Sequence, residues 1–362
     1  MRVVIAGGGT GGHLFPGLAV ARALKARVPS AQISFAGTST GIEARVIPAS
    51  EFELDVIRSG GLKGKSAAVL ARGLGLLPLS AIDAWRLISK RRPDVVIGVG
   101  GYSSGPVVGI AVVRGIPALL MEQNAQPGIT NRLLAPFVQS AAVTYEASLQ
   151  YFGTKGFLSG NPVRQEFLNV DDISVNAADV RVLIVGGSQG AHAINVAVSQ
   201  AAPGLAGGGH APAISVVCQT GTRDFDMVNE AFQRSGVQGR VERFIDAMDR
   251  EVKAAGLIVS RAGATTLAEI TAAGRPSILI PLPTAADDHQ LKNAQALQAA
   301  GAAELIEQKD LTADLLVSRI FALAADAEKR KQMSMAARRL AKPDAAERIV
   351  DAVIGLAERR AS

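Results

Sequence analysis

Short, mostly apolar runs alternate along this 362-residue chain with longer stretches that mix apolar and polar residues at helical spacing. Val3–Ala6, Gln32–Ala36, Glu53–Ile57, Asp94–Val99 and Pro117–Met121 read as strands, and so do Val180–Val185, Ile214–Gln219, Val241–Ile245, Leu257–Ser260 and Ser277–Pro281 further on. Helix-like segments near Gly17–Arg27, Gly41–Ala49, Ala191–Ala202 and Arg261–Glu269 lie between them. Strands that are apolar at successive positions are buried on both faces, as in a parallel sheet covered by helices on each side. The fold class is therefore α/β, and because the alternation starts twice it comprises two Rossmann-like domains. Between the two starts, Asn169–Asp179 is polar, acidic and without periodicity, and reads as a linker. From Asp310 onward charged amphipathic helices dominate, and Pro343 breaks the last pair. The expected division is one domain over residues 1–160 and a second over 161–342, with the final helix, in 343–362, packing back on the first domain.

Three strands run into glycine-rich turns. The first turn is Gly7-Gly8-Gly9-Thr10-Gly11-Gly12-His13, the second Gly100-Gly101-Tyr102-Ser103-Ser104-Gly105-Pro106, and the third Gly186-Gly187-Ser188-Gln189-Gly190-Ala191. Backbone without Cβ turns sharply and lets N–H groups approach a ligand, and a helix N-terminus behind it favours an anion. A phosphate-bearing ligand is the first expectation; glycines serving only tight helix-on-strand packing are the alternative. Gly7, Gly9 and Gly12 match the G-x-G-x-x-G fingerprint, but a dinucleotide site also needs an acid closing the second strand, about 20 residues on, to hold a ribose. That strand ends in Gly37-Thr38-Ser39, and no acid comes before Glu43. Ligands of doubly wound sheets lie beyond the carboxyl ends of strands, so the first two turns can share one anion site. Glu122-Gln123-Asn124 follows a strand at the same edge, and three successive polar side chains there suggest ligand contact. In the second half, the small residues opening Arg261–Glu269 suit a diphosphate, Glu269 a ribose or simply a solvated helix face, and the polar run Asp287–Asn293 sugar hydroxyls.

Composition narrows the class without changing it. Hydrophobic content of 48% with 38 glycines excludes disordered and collagen-like chains. The lone cysteine, Cys218, lies in an apolar run, reads as a core residue and points to a reducing compartment. Val3–Ala6 is too short for a signal-peptide core, and the best membrane-span candidate, Pro106–Met121, is broken by Arg114 and Pro117. A net charge of +6 admits nucleic acid, a membrane surface or an anionic substrate. Scarce aromatics, 4%, and the lack of helix-turn-helix, zinc or RNA-recognition signatures exclude nucleic acid. From Gly60 to Pro93, Lys63, Lys65, Arg72, Arg86, Lys90, Arg91 and Arg92 are mixed with leucines and Trp85 against one acid, Asp83. Such a segment either lies on an anionic membrane surface or packs on the sheet as an amphipathic helix with solvated charges.

The motifs GGGTGGH at 7–13, GGYSSGP at 100–106, EQN at 122–124, NPVR at 161–164, GGSQGA at 186–191, RAGATTLAE at 261–269 and DHQLKNA at 288–294 resemble, in order and spacing, the MurG family. The resemblance implies a glycosyltransferase-B fold and inverting transfer of N-acetylglucosamine from UDP-GlcNAc to undecaprenyl-diphosphate-linked N-acetylmuramyl pentapeptide, lipid I, giving lipid II. It implies a peripheral enzyme at the cytoplasmic face of the cell membrane, with proteins of cell-wall synthesis or division as further partners. On the donor side it implies Ser188 at a phosphate, backbone of Ile245 at the uracil, and Glu269 at the ribose. Arg164, Ala264, Thr265, Thr266, Leu267 and Ala268 would line the nucleotide cleft, and Asn124 and Gln290 would take the sugar hydroxyls, with Thr10, Gly11 and Gly12 closing over it. Gly8, Gly9, Gly101, Tyr102 and Ser103 would face the acceptor diphosphate. His289 departs from the amide that many members carry there.

Inverting transfer needs a base for the acceptor hydroxyl. His13 is the candidate, because imidazole titrates near neutrality; binding acceptor phosphate and capping the helix remain alternatives, and Glu122 is the fallback base. No cofactor is called for, and no metal either: Asp287-Asp288-His289 is too compact and no D-x-D pair lies near a strand end. Helix N-termini and Arg164 can offset the leaving-group charge instead.

Overall fold

The computed structural model describes residues 1–60, 67–168, 179–187, 190–207, 212–285 and 288–361. The chain divides into two compact units, Met1–Arg164 with Lys342–Ser362, and Gln165–Ala341. In the first, β1 (Arg2–Gly7), β2 (Gln32–Gly37), β3 (Glu53–Val56), β4 (Val95–Gly100), β5 (Ala118–Glu122), β6 (Ser140–Val143) and β7 (Gly156–Leu158) form one sheet in the order 3-2-1-4-5-6-7. In the second, β8 (Asp179–Val185), β9 (Ala213–Gln219), β10 (Gly239–Glu242), β11 (Leu257–Ser260), β12 (Ser277–Leu279) and β13 (Ala303–Leu305) run in the order 10-9-8-11-12-13. All recorded pairings are parallel. Both units are thus doubly wound, with the strand order reversing between β1 and β4 and again between β8 and β11.

Side chains of a strand alternate faces, and the core follows that period. Val3 and Ile5 face the helix Gly11–Arg27 through Leu14, Leu18 and Leu24, while Val4 and Ala6 face the helix Ala67–Arg91 through Ala84, Leu87 and Ile88. The helix Ala345–Ala361 completes the first of these layers: Ile349, Val350, Val353 and Leu356 are buried among the same residues as Leu14. Phe167, fully buried beside Leu183 and Ile258, commits the chain to the second unit at once. The units therefore part at Arg164, ahead of the polar stretch taken as the linker, whose residues 169–178 lie outside those described.

Several boundaries differ from the sequence expectation. The first helix begins at Gly11, not Gly17, because Thr10, extended at φ −135°, ends the turn and accepts from the N–H groups of His13 and Leu14. The segment Gly41–Ala49 holds only a four-residue helix, Glu43–Val46. Strands β6, β7 and β13, with the sequences SAAV, GFL and AEL, carry no run of large apolar residues to mark them. Cys218 is a buried core residue, and burial pushes its thiol up to about 12.

Because Ile349 fills the first unit's core, Ile349→Ala should cost about 2–5 kcal/mol, read as a lowered denaturant midpoint for that unit.

Candidate active site

The reversal of strand order leaves the carboxyl ends of β1 and β4 side by side, with no helix crossing over them, and this is where ligands of such sheets bind. Gly7 pairs with Gly100 through an irregularity in register. The two glycine turns then touch: Gly101 sits at φ +81°, and a Cβ on it would lie 2.4 Å from the Gly8 carbonyl oxygen. Two helices start here, Gly11–Arg27 and Ser104–Val113, and neither is capped by the side chain of Thr10 or Ser103. A helix N-terminus carries a partial positive charge, so this edge suits an anion.

His13, half-buried in the first turn, is oriented from β5. The buried Gln123 carboxamide donates from Nε2 to the Val99 carbonyl (3.1 Å), which turns its Oε1 toward His13 Nδ1 (3.3 Å). An amide oxygen can only accept, so Nδ1 carries the hydrogen and the imidazole lone pair resides on Nε2. This is the tautomer of a general base. Nothing in the sequence singled out Gln123 from its neighbours; only the register of β5 against β4 does.

Glu122, the fallback base, has a different place. It is 3% exposed, and its carboxylate accepts from Asn124 N (3.0 Å), Asn124 Nδ2 (3.2 Å), Gly128 N (3.0 Å) and Asn131 Nδ2 (2.9 Å). A carboxylate so supplied with donors braces the loop that follows β5. The Asn124 amide, expected at sugar hydroxyls, is the donor in one of those bonds. The Gly9 N–H, of the turn expected at the acceptor diphosphate, is donated to Glu43 Oε2 (2.7 Å). Gly8 is buried and Ser103 is 2% exposed, whereas Gly9 and Tyr102 are exposed and Gly101 is partly so. Tyr102 is held through its carbonyl by the Ser59 hydroxyl (2.7 Å). Arg164, expected in the nucleotide cleft, belongs to the first unit and lies 5.4 Å over the Phe15 ring, one turn beyond the start of His13's helix.

The second unit repeats the arrangement at β8 and β11. Gly187, at φ +94°, and Gly190, at +78°, shape the turn after β8; Ser188 and Gln189 between them lie outside the described residues. The buried Gln219 side chain ties this turn to the end of β10, donating to the Gly187 carbonyl (2.9 Å) and accepting from Ile245 N (2.8 Å). The Ile245 N–H, expected at a uracil, is therefore engaged by Gln219. Next to the turn, His192 Nδ1 meets Asp224 Oδ1 (2.9 Å), and Asn195 Nδ2 donates to Asp224 Oδ2 (2.9 Å) and to the Thr220 carbonyl (2.9 Å). Burial pushes the Asp224 carboxyl up, but Asn195, His192 and the charge of Arg223 outweigh it and hold it below the usual value.

After β11 the helix Ala264–Ala272 starts behind Gly263 with no side-chain cap. Ala264, Thr265 and Thr266 form its first turn, whereas Leu267 is 1% exposed and packs in the core. Ala268 and Glu269, both half-buried, follow one turn on. Gln290 Oε1 accepts from Leu282 N (3.0 Å), so its Nε2 is the group left for a ligand oxygen. Arg261 fixes the strand ends around it, donating to the carbonyls of Ile280 and Pro281 (3.1 Å each) and to Gln308 (2.7 Å). Among the described residues no group of three or more His, Cys, Asp or Glu could hold a metal ion.

Residues 3–143 match the glycosyltransferase family 28 N-terminal domain and residues 181–349 the glycosyltransferase family 28 C-terminal domain. The chain is 45% identical to a UDP-N-acetylglucosamine--N-acetylmuramyl-(pentapeptide) pyrophosphoryl-undecaprenol N-acetylglucosamine transferase of Anaeromyxobacter sp. (strain Fw109-5), over 99% of this chain and 94% of the relative. The crystal structure of Acinetobacter baumannii MurG superposes with a TM-score of 0.79 at 28% identity, covering 98% of this chain and 99% of that one. A UDP-GlcNAc 2-epimerase from Neisseria meningitidis, bound to UDP-GlcNAc, gives a TM-score of 0.68 at 13% identity over 98% of this chain and 100% of that one, a likeness of fold alone.

Asp224's folded-state pKa lies below its ordinary 3.8, so its stabilising contribution is complete above that pH and is lost as the pH falls through the folded value. Asp224→Asn should cost about 1–3 kcal/mol at neutral pH and flatten the acid limb of the pH–stability curve below 3.8, measured by urea unfolding at a series of pH values.

Proposed function

The chain belongs to glycosyltransferase family 28, and from that premise we propose that it transfers N-acetylglucosamine from UDP-N-acetylglucosamine to N-acetylmuramyl-(pentapeptide) pyrophosphoryl-undecaprenol. The observation that carries this reading is relatedness over both units at once, at 45% identity across 99% of the chain. A match confined to one unit would leave either the donor or the acceptor open. The competing readings are a UDP-GlcNAc 2-epimerase, a UDP-sugar transferase with another acceptor and a non-catalytic nucleotide-binding membrane protein, none of which needs this lipid-linked acceptor.

In the proposed step the acceptor hydroxyl oxygen bonds to the anomeric carbon, the bond from that carbon to the diphosphate oxygen breaks, and UDP departs with the electron pair. His13 Nε2 takes the hydroxyl proton, and Gln123 keeps the imidazole in the tautomer able to do so. The first-turn N–H groups of the helices Gly11–Arg27 and Ser104–Val113 receive the acceptor's diphosphate. In the second unit, the first turn of Ala264–Ala272 and Ser188 receive the donor's diphosphate as it gains charge, with Glu269 on the ribose, the Ile245 backbone at the uracil and Gln290 on the sugar. For the Ile245 N–H to serve, Gln219 must yield it.

We also place a membrane-facing surface on the first unit. Three packed helices each expose apolar side chains: Leu77, Leu79, Ile82 and Trp85 on Ala67–Arg91, Val113 at the end of Ser104–Val113, and Ile129 and Leu133 on Ile129–Leu134, with Phe137 just beyond. Leu133 is 68% and Phe137 60% exposed, more than isolated surface apolar residues need explain. Arg114 lies 4.9 Å over the Trp85 ring and Arg86 is exposed beside it, so cations rim the patch. Lys63 and Lys65, part of the basic run, lie outside the described residues. No described helix is long and apolar enough to cross a membrane.

Incubation with labelled UDP-GlcNAc and a lipid-linked muramyl acceptor should give a disaccharide product; turnover of UDP-GlcNAc without that product would overturn the reading in favour of the epimerase. His13→Ala should lower kcat by about 10²–10⁴ while UDP affinity stays nearly unchanged, and an unaltered kcat would remove His13 from the step. Trp85→Ala with Leu133→Ala should weaken binding to vesicles containing anionic lipid, and added salt should weaken what remains by screening the rim charges; cosedimentation reads both.

A further inference from the structure

Behind the first glycine turn lies a carboxylate that the reaction does not use. Glu43 is fully buried in the short helix Glu43–Val46. Its Oε2 accepts from Gly9 N (2.7 Å), and its Oε1 accepts from Thr38 N (2.8 Å) and from the Thr38 hydroxyl (2.9 Å), whose oxygen in turn accepts from Gly41 N (3.1 Å). Three segments give up side chains to make room for it: a Cβ on Gly8, Gly37 or Gly41 would lie 2.4, 2.5 or 2.2 Å from the Glu43 side chain. Burial pushes this carboxyl up, yet the Thr38 and Gly9 donors outweigh it and hold it below its usual range, so it is charged at neutral pH.

We propose that Glu43 is a positioning residue of the acceptor site: its carboxylate pins the turn Gly7–Gly9, and with it the start of the helix that carries Gly11, Gly12 and His13, in the shape that receives a diphosphate. The inference rests on the acceptor role given above to that helix start. A negative charge behind an anion site is repulsive, so Coulomb's law alone makes Glu43 unfavourable for acceptor binding. Its value is geometric: Gly9, at φ +84°, is held by the bond to Glu43 rather than by ladder hydrogen bonds.

The two contributions predict opposite signs for one substitution. Glu43→Gln keeps the shape, removes the charge and sets an NH2 against an N–H donor. Positioning predicts that the acceptor KM rises about tenfold or more while the UDP-GlcNAc KM holds steady, since the donor residues lie in the other unit; hydrogen exchange over residues 7–13 should accelerate. Gly41→Ala, which keeps the charge but intrudes on the carboxylate, should show the same pattern and covers the case in which Glu43→Gln fails to fold. An acceptor KM that is unchanged or lower in either folded variant overturns the proposal, as does an equal rise in both KM values. Wild-type transfer is the reference: its absence would count against the functional reading, whereas normal wild-type transfer with unaffected variants counts against Glu43 alone.

Discussion

Two parallel strand pairings, β1 with β4 and β8 with β11, are the constraint on which each unit's chemistry rests. Each pairing joins strands that are far apart in sequence and whose following helices leave on opposite faces. At that point no helix covers the carboxyl edge, and backbone N–H groups are left facing outward. In the first unit the pairing is tight enough that Gly8 and Gly101 touch through backbone alone. The neighbouring pairing of β4 with β5 carries Val99 beside Gln123, and so sets the hydrogen on His13 Nδ1 two contacts away. Proton inventory at the reacting end is thus a result of strand register.

Both edges are fastened from beneath by buried polar side chains. Glu43 holds the turn after β1, Glu122 the loop after β5, Gln219 the turn after β8, and Asp224 the segment after β9. Burying such groups is costly unless their hydrogen-bonding capacity is met; here backbone groups of turns and loops, with the Thr38, Asn124 and Asn131 side chains, meet it for Glu43, Glu122 and Gln219, and the His192 and Asn195 side chains meet it for Asp224. A turn rich in glycine loses much conformational freedom on ordering. A buried acceptor reaching several N–H groups offsets that loss.

The sequence made the sheets readable because their central strands are apolar on both faces: Leu257–Ser260 was read to the residue, and β1 and β8 to within one. The peripheral strands β6, β7 and β13 were not, since SAAV, GFL and AEL hold no run of large apolar residues. The seven motifs identified the family, and the family matches agree with that reading. What no motif discloses is which polar residue of a cluster faces a ligand and which faces the core. Glu122 and Gln123 are adjacent and both buried, yet one braces a loop and the other orients His13. Glu43 appeared in the sequence only as an acid too late to hold a ribose, and its role depends on Gly8, Gly37 and Gly41 converging from three segments.

The helix Ala345–Ala361 contributes Ile349, Val350, Val353 and Leu356 to the core that also contains Val3 and Leu14. The first unit is therefore assembled from both extremes of the sequence, while Gln165–Ala341 is continuous. On a ribosome, where domains ordinarily fold in order of emergence, the order is inverted. The second unit can finish its core while the first still waits, its apolar face open, for residues near 350 to leave the exit tunnel.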